Sequence, residues 1–302
     1  MYNKIIAYSD TDCNTKMRFE SELADRYPFL FLSEAGKSVC GRRIPLIKLG
    51  TGDRRVLFSA AYHGNERITS SVLLLFVGRL CECFSSGERI GGRRAEDLLD
   101  ETTLYILPTV NPDGCDISLK GAEEAGSFMA SVKRISGGNY DGWSANARGV
   151  DINHNFDAGW DELHRLERKN GIYGPSPRRY GGTHPESEPE TAAVCELCRS
   201  IGFASAFAFH SQGEVIYWQY GKHRVEGAAA KAVRMAELSG YALDAPVGLA
   251  VGGGFKDWFI SEFSRPAFTV ELGRGTNPLS AAMTVPIYEK IEEMLVYCLS
   301  VE

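Results

Sequence analysis

The chain has 302 residues, of which 44% are hydrophobic and 24% are charged, and its formal net charge is −6. This composition is typical of a globular protein with enough apolar material for a core. The weak acidic excess argues against nucleic-acid binding, which requires a basic face, so we expect no nucleic-acid partner.

Short apolar runs alternate with helical periodicity along the chain, which predicts an α/β sandwich with a largely parallel sheet. Residues 113–180 are rich in Gly, Asn and Ser and have weak periodicity, so we expect long surface loops around a cleft there. No repeat or linker divides the chain, which predicts one domain over residues 1–302. In chain order, we predict a strand at 55–62, a helix at 68–80, a strand at 103–110, a helix at 188–200, strands at 203–209 and 214–220, a helix at 227–239, a strand at 267–272 and a helix at 286–299.

Two features bear on the compartment. The N-terminal segment has no basic stretch followed by an apolar run, and the longest strongly apolar stretch, residues 71–77, is too short to cross a bilayer. The eight cysteines have no framework spacing, and Cys195 and Cys198 lie in one predicted amphipathic helix without a second such pair. We therefore expect free thiols, a cytoplasmic protein and no membrane partner.

Candidate metal ligands follow the predicted strands. His63, His210 and Glu271 each lie at or near the carboxyl end of one strand, the edge at which ligand sites assemble in open α/β sheets. Glu66 follows His63 by three residues, a spacing that lets both side chains face one cation. Imidazole and carboxylate ligands with an open fourth position are the composition of a catalytic zinc site.

Each signal alone has an ordinary structural explanation. The His-x-x-Glu pattern occurs by chance in many proteins. His210 alone fits a hydrogen-bonded polar residue, and Glu271 alone fits an ion pair with Arg265 or Arg274. A carboxylate that closes an apolar strand nevertheless needs a partner, because burial of an unpaired charge is costly.

The joint pattern resembles the zinc carboxypeptidase family, the carboxypeptidase A-like metallopeptidases, over residues 36–297. That resemblance implies a three-layer α/β/α sandwich with a central mixed, largely parallel sheet, and one zinc ion per chain. The ordered segments that carry it are GKSVCGRRI (36–44), HGNE (63–66), PTVNPDG (108–114), NARGVDINHNF (146–156), SEPET (187–191), AFHSQG (208–213), GGGFKDW (252–258) and FTVELG (268–273).

The resemblance also implies roles for the residues of these segments. His63, Glu66 and His210 occupy the zinc-ligand positions. Glu271 matches the general base, which takes a proton from the attacking water and passes it to the leaving amine. Arg148 matches the arginine that stabilises the oxyanion, although a solvated loop charge is the alternative for it. Asp151 matches the carboxylate that orients the first zinc histidine.

Two positions depart from the animal digestive enzymes of the family. Asn153 falls where the family binds the terminal carboxylate of the substrate, but the next residue is His154 rather than arginine, and residues 247–251 contain no counterpart of the family's mobile tyrosine. Both changes argue against strict carboxypeptidase activity. Lys256 matches the floor of the specificity pocket, where a cation would favour an acidic side chain. The alternative for Lys256 is a solvated side chain that points away from the pocket.

Within the family, the segments HSQGE, GFKDWFI and ELGRGTNPL look most like the bacterial γ-D-glutamyl-meso-diaminopimelate peptidases. The resemblance implies a small muropeptide as the substrate, with Lys256 or Arg274 contacting the additional carboxylate of diaminopimelate. No inhibitory pro-segment is visible, so we expect a single catalytic domain that is made in active form.

Three other functions stay open at this point. One is an ordinary metallocarboxypeptidase that acts on C-terminal, including acidic, residues. Another is a zinc amidohydrolase or deacylase of N-acyl amino acids. A third is a catalytically inactive protein that binds muropeptides, against which the retention of Glu271 and of all three ligand positions argues. The sequence makes no prediction about the oligomeric state.

Overall fold

The computed structural model describes residues 3–300. The strands are β1 (Phe31–Lys37), β2 (Arg43–Leu49), β3 (Arg54–Ala60), β4 (Arg89–Ile90), β5 (Arg93–Arg94), β6 (Thr102–Leu107), β7 (Ser205–His210), β8 (Val215–Tyr217), β9 (Ala242–Leu243) and β10 (Ala267–Glu271). The helices are α1 (Lys4–Tyr8), α2 (Cys13–Arg26), α3 (Arg67–Ser86), α4 (Ala95–Glu101), α5 (Pro112–Lys120), α6 (Met129–Ser136), α7 (Trp160–Lys169), α8 (Pro189–Ile201), α9 (Ala228–Ser239), α10 (Phe255–Phe263) and α11 (Thr284–Leu299).

An eight-stranded mixed sheet runs through the molecule in the order β1-β2-β6-β3-β7-β10-β8-β9. Its centre is parallel, because β3 pairs in parallel with both β6 and β7, and β7 pairs in parallel with β10. The strands β1 and β2 add an antiparallel edge, and β8 lies antiparallel to β10. The four parallel strands therefore end at one common edge.

Alternate residues of the central strands enter two separate cores. In β3, Val56 and Phe58 pack in a core with α3, α9 and α11, whereas Leu57 faces a second core with α8 and α10. Because successive side chains of a strand point to opposite faces, these two cores lie on the two faces of the sheet. The prediction of a three-layer α/β/α sandwich with a mixed, largely parallel sheet is confirmed.

The sequence predicted no element at α1, α2, β1, β2, α4 or α10, and its expectation also differs from the structure between residues 113 and 180. That segment was expected to be loops, but it contains α5, α6 and α7. The helix α5 begins at an Asn-Pro pair: the Asn111 side chain accepts a hydrogen bond from the Gly114 amide at 2.9 Å, and Pro112 stands at the first helical position. These cap signals mark the helix start even though its apolar periodicity is short. The predicted strand at 214–220 is shorter than expected, because β8 covers three residues.

The helical stretch 64–86 is long and apolar enough to cross a membrane by length and composition. It extends beyond the apolar run at 71–77, and 72% of its most apolar window is buried within the fold. Its side chains pack in the core beneath β3, as in the central helix of an α/β protein. The eight cysteines are all free.

Candidate metal centre

Four side chains meet at the carboxyl edge of the parallel strands; we call His63, Glu66, His210 and Glu271 the cavity floor. His210 is the last residue of β7 and Glu271 the last residue of β10, and the two stand opposite each other in register. His63 follows β3, and Glu66 lies three residues later in a short 3-10 turn. Sheet register therefore brings together residues that are far apart in sequence.

Two imidazoles face one carboxylate in this cluster. The Nδ1 atom of His63 lies 2.8 Å from Oε1 of Glu66, and Nδ1 of His210 lies 3.0 Å from Oε2 of the same side chain. One ligand atom from each of the three residues lies within 4.8 Å of those of the others. Two nitrogens and a carboxylate oxygen are the ligands that zinc takes in catalytic sites, which leave one position open. The donor set and its spacing fit one zinc ion.

Backbone contact fixes the turn that joins the two ligands of this segment. A Cβ atom on Gly64 would lie 2.3 Å from the backbone oxygen of Gly114 and 2.8 Å from that of Trp143. No side chain fits at such distances, so glycine is required between His63 and Glu66. The Asn111 side chain, which caps α5, also donates to the backbone oxygen of Tyr62 at 2.9 Å. The turn is therefore fixed by the close backbone packing at Gly64 and by the hydrogen bond from Asn111 to Tyr62.

A buried carboxylate orients the first histidine. Asp151 lies with Oδ1 3.2 Å from Nε2 of His63, and its Oδ2 accepts a hydrogen bond from the Arg179 amide at 2.8 Å. Because an ionised carboxylate only accepts, the proton of His63 belongs on Nε2, and Nδ1 is left for a metal. Burial of Asp151 opposes ionisation, but the neighbouring His63 and His154 hold its pKa well below the usual range. Asp151 has the position that the sequence predicted for it.

The pKa values of the two glutamates of the cavity floor are shifted in opposite directions. Burial would raise the pKa of Glu66, but His63 and His210 lower it to about 2. Burial, together with the neighbouring Glu66, raises the pKa of Glu271 well above its usual value. Burial of His63 opposes its protonation, yet Glu66 and Asp151 raise its pKa. Glu66 is thus an ionised ligand, whereas Glu271 is a carboxyl with a high proton affinity, as a general base requires.

The floor opens into a cavity of about 930 Å³. Its polar side chains include groups from the sheet edge, from the turn at 151–154, from the connection between α7 and α8, and from the start of α10. The lining residues used below are His63, Glu66, Asp151, Asn153, His154, Arg178, Arg179, His210, Lys256 and Glu271. A cavity of this size accommodates a small ligand or a short peptide.

Asn153 and His154 both line the cavity, on the wall that faces α10. The Asn153 side-chain oxygen accepts from the Phe255 amide at 3.0 Å, which leaves its amide nitrogen as a donor toward the cavity. The Nδ1 atom of His154 lies 2.9 Å from the buried carboxylate of Glu167. Both residues therefore face the site, and their role in substrate binding stays a prediction; Glu167, which the sequence did not single out, fixes the ring of His154.

Lys256 also lines the cavity and is buried, so the alternative of a solvated side chain is wrong. Its Nζ donates to the backbone oxygen of Gln219 at 2.6 Å and forms an ion pair with Asp257. An ammonium group has three N–H donors, so one donor is left after these two contacts. The charge of Lys256 is partly balanced before any ligand binds.

Two predicted site residues do not reach the cavity. The Arg148 guanidinium lies 3.4 Å from Glu188, and its side chain is 44% exposed. Arg274 lies 2.9 Å from Glu214, and its side chain is 74% exposed. Neither is among the described residues that line the cavity. The expectations that Arg148 faces an oxyanion and that Arg274 contacts substrate are not met, because each guanidinium pairs with a carboxylate outside the cavity.

Arg178 and Arg179 line the cavity in their place. Neither residue was predicted from the sequence, because both lie in the segment that was expected to be surface loop. The available signal was the adjacent arginine pair directly ahead of Tyr180 and two glycines, in a segment expected to surround a cleft.

Comparison with known proteins agrees with this geometry. Residues 17–294 match the model of the zinc carboxypeptidase family of peptidases. The chain is 36% identical over 282 residues to γ-D-glutamyl-L-diamino acid endopeptidase 1 of Lysinibacillus sphaericus, an alignment that covers 92% of this chain and 69% of that protein. It is 34% identical over 278 residues to the uncharacterised protein YqgT of Bacillus subtilis (strain 168). That alignment covers 91% of this chain and 73% of YqgT.

The fold matches that of a solved carboxypeptidase. The crystal structure of carboxypeptidase A from Helicoverpa armigera superposes with a TM-score of 0.74 at 20% identity, over 96% of this chain and 73% of that one. The chain belongs to the zinc carboxypeptidase family. It is a zinc metallopeptidase that acts on a peptide substrate, and its His63, Glu66 and His210 side chains are positioned to hold one zinc ion.

Proposed function

We propose that this zinc peptidase hydrolyses the bond between γ-D-glutamate and a diamino acid, most simply meso-diaminopimelate, in small peptides derived from peptidoglycan. One structural observation supports it most. The cavity above the metal ligands carries cationic groups on more than one wall, Arg178 and Arg179 on one and Lys256 on another. A muropeptide carries carboxylates on both sides of this bond, so its charges complement those of the cavity. The similarity to the Lysinibacillus endopeptidase supports the same substrate class.

The floor supplies the chemistry. Zinc, when bound by the three ligands, polarises the scissile carbonyl and brings the pKa of water toward about 7. Glu271 accepts a proton from the attacking water as the oxygen bonds to the carbonyl carbon. The same carboxyl then donates that proton to the amine nitrogen as the carbon–nitrogen bond breaks. Asp151 keeps His63 in the tautomer and orientation that the site needs.

The amine side of the substrate is assigned to the wall next to α10. The free amide of Asn153, the imidazole of His154 and the remaining donor of Lys256 are the groups that would bind carboxylates of the diamino acid. Since Lys256 is already paired with Asp257, we expect it to select for an acidic group mainly by excluding basic ones.

Substrate choice is tested by kcat/KM on four peptides with the zinc-loaded protein. L-Ala-γ-D-Glu-meso-diaminopimelate is the expected substrate, and its α-linked isomer is the matched control. Hippuryl-Phe and hippuryl-Arg represent ordinary carboxypeptidase substrates. We expect at least about a 100-fold preference for the γ-linked peptide over each of the others, since the hippuryl peptides lack the acyl-side carboxylate and the α-linked isomer carries its substituted nitrogen next to the scissile carbonyl. A preference for either hippuryl peptide would overturn the proposal in favour of a carboxypeptidase.

The deacylase alternative is tested in the same assay. N-acetyl amino acids have no carboxylate on the acyl side of the bond, and N-succinyl amino acids have one but lack the L-Ala-D-Glu unit of the γ-linked peptide. We expect their turnover to be lower than that of the γ-linked peptide by a similar factor, and faster turnover of an acyl amino acid would assign the protein to that class instead.

A further inference from the structure

Arg178 and Arg179 form a part of the cavity wall that no side chain neutralises. Within residues 3–300, neither guanidinium has an ion pair or a hydrogen bond to another side chain, although both line the cavity and are exposed. The other cationic groups considered for this site are committed: Arg148 pairs with Glu188, and Arg274 pairs with Glu214. Free guanidinium groups beside a metal centre are suited to bind an anionic part of a ligand.

The backbone of Arg179 ties this pair to the metal centre. Its amide donates to Oδ2 of Asp151 at 2.8 Å, and the other oxygen of that carboxylate contacts His63. The Asp151 amide in turn donates to the backbone oxygen of Tyr180 at 2.8 Å. The Arg179 backbone therefore contacts Asp151, which in turn contacts the ligand His63. This chain of contacts fixes the point on the wall from which the Arg179 side chain extends.

Arg179 has an unusual conformation for its residue type. Its φ is +69°, in the left-handed region that favours glycine. A non-glycine residue there costs free energy, and such residues persist where the surrounding structure imposes them, often at functional sites. Glycine would make the same Asp151 contact with less strain, so the backbone alone does not explain an arginine at this position.

We propose that Arg178 and Arg179 bind the free α-carboxylate of the γ-linked glutamyl residue, on the acyl side of the scissile bond. This inference rests on the proposed function. In a γ-linked glutamate the side-chain carboxyl forms the scissile amide, so the α-carboxylate stays charged a short distance from the reacting carbonyl. An α-linked peptide carries its free carboxylate the same number of bonds from the reacting carbonyl, but its substituted nitrogen lies next to that carbonyl instead of on the carboxylate-bearing carbon. Bidentate pairing with a guanidinium would therefore favour acyl groups that carry this carboxylate over those that lack it.

The position of the other donors supports the acyl side. Asn153, His154 and Lys256 face the start of α10 and are assigned to the diamino acid. The arginine pair lies on the connection between α7 and α8, where Asp151 and Tyr180 hold it. A substrate with carboxylates on both sides of one amide would thus meet a separate cationic group on each side.

The test compares two peptides that differ at one group. One is L-Ala-γ-D-Glu-meso-diaminopimelate, and the other carries an α-carboxamide on the glutamyl residue in place of the α-carboxylate. The variants are Arg178→Ala, Arg179→Gly and the double variant. Glycine is chosen at 179 because it keeps both the left-handed backbone and the amide that contacts Asp151. Arg168→Ala, an exposed arginine on α7, is the matched control.

We expect the wild-type protein to favour the carboxylate peptide by about 10- to 100-fold in kcat/KM, the range for a hydrogen bond to a charged group. The double variant should lose that preference through a higher KM for the carboxylate peptide, with a much smaller change in kcat/KM on the carboxamide peptide. Arg168→Ala should behave as wild type. Affinities of both peptides for the zinc-loaded Glu271→Gln protein, which is expected not to turn them over, give the same comparison without catalysis.

Two results would overturn this subsite. One is a wild-type protein that cleaves γ-linked peptides in preference to α-linked ones but does not distinguish carboxylate from carboxamide; the proposed function would then stand and the subsite would fall. The other is a double variant that slows equally on both peptides while it keeps its zinc, which would assign the arginines to the reaction itself. A wild-type protein that prefers hippuryl peptides would remove the proposed function and the subsite together.

Discussion

The cavity floor and the wall above it are built by different parts of the chain. The floor residues His63, His210 and Glu271 stand at or next to the carboxyl ends of parallel strands. The wall that carries Arg178 and Arg179, which we call the loop wall, is the connection of residues 170–188 between α7 and α8. The floor is positioned by sheet hydrogen bonds, whereas the loop wall is positioned by individual side-chain and turn contacts.

We infer that the two regions have different functions in catalysis. A strand end allows few orientations, so groups that must share one metal ion and move one proton lie there. A loop can change in sequence without disturbing the sheet, so groups that select the substrate lie there. We therefore expect changes on the floor to remove turnover or metal, and changes on the loop wall to alter the choice of substrate.

The largest effect is expected from Glu271→Gln. Glutamine keeps the shape but cannot accept the proton, so kcat should fall by at least about 100-fold, while zinc content stays at one per chain. Steady-state kinetics and metal analysis of the same preparation give both values. Glu196→Gln, an exposed position on α8, is the control. Unchanged turnover in the Glu271 variant would remove the general base from the account.

The next effect is expected from Asp151→Asn. This change removes the charge that holds His63 at 3.2 Å, so zinc affinity should fall by about 10- to 100-fold. Competition with a chromogenic chelator measures it, with Asp161→Asn on the surface of α7 as the control. An affinity equal to that of wild type would show that His63 keeps its orientation without this carboxylate.

A much smaller effect is expected from Arg148→Ala. Its guanidinium pairs with Glu188 at 3.4 Å and lies outside the cavity, so kcat should stay within about threefold of wild type. Since the Arg148 side chain is 44% exposed and the buried Glu188 carboxylate keeps its hydrogen bonds from Asn146 and Ser187, thermal unfolding should also change little. A fall of about 100-fold in kcat would instead assign oxyanion stabilisation to Arg148 and contradict its described position.

The smallest effect is expected from Arg274→Ala. This side chain is largely exposed and contacts Glu214, so kcat/KM on the γ-linked peptide should equal that of wild type. The same assay is applied to Arg179→Gly, which is expected to lose affinity for the γ-linked peptide. The two variants together compare an arginine outside the cavity with one that lines it. Equal losses from both variants would place Arg274 in substrate binding after all.

The cavity floor could be predicted from the sequence because local apolar runs are enough to locate the ends of strands. Apolar runs ending at His63, His210 and Glu271 indicated strand ends, and parallel strand ends meet at one edge. The three-layer fold could be predicted for the same reason. The helices α5–α7 were missed, because their periodicity is short and only local caps such as Asn111 mark them.

The loop wall and the neighbouring side chains of Arg148 and His154 could not be predicted, because their contacts are long-range. Whether Arg148 faces the cavity depends on Glu188, forty residues away in the chain, and no local pattern reveals that pair. The same holds for His154, whose ring orientation depends on Glu167. The arginines at 178 and 179 were placed on the cavity by the contact between the Arg179 amide and Asp151.

The most direct test of the central claim is anomalous X-ray diffraction from crystals of the zinc-loaded protein, with data collected on both sides of the zinc absorption edge. The account predicts one strong zinc peak per chain, bonded to His63, Glu66 and His210, with Glu271 beside it but not bonded. A peak elsewhere, or a zinc ion that takes Glu271 as a ligand in place of one of the three, would contradict it.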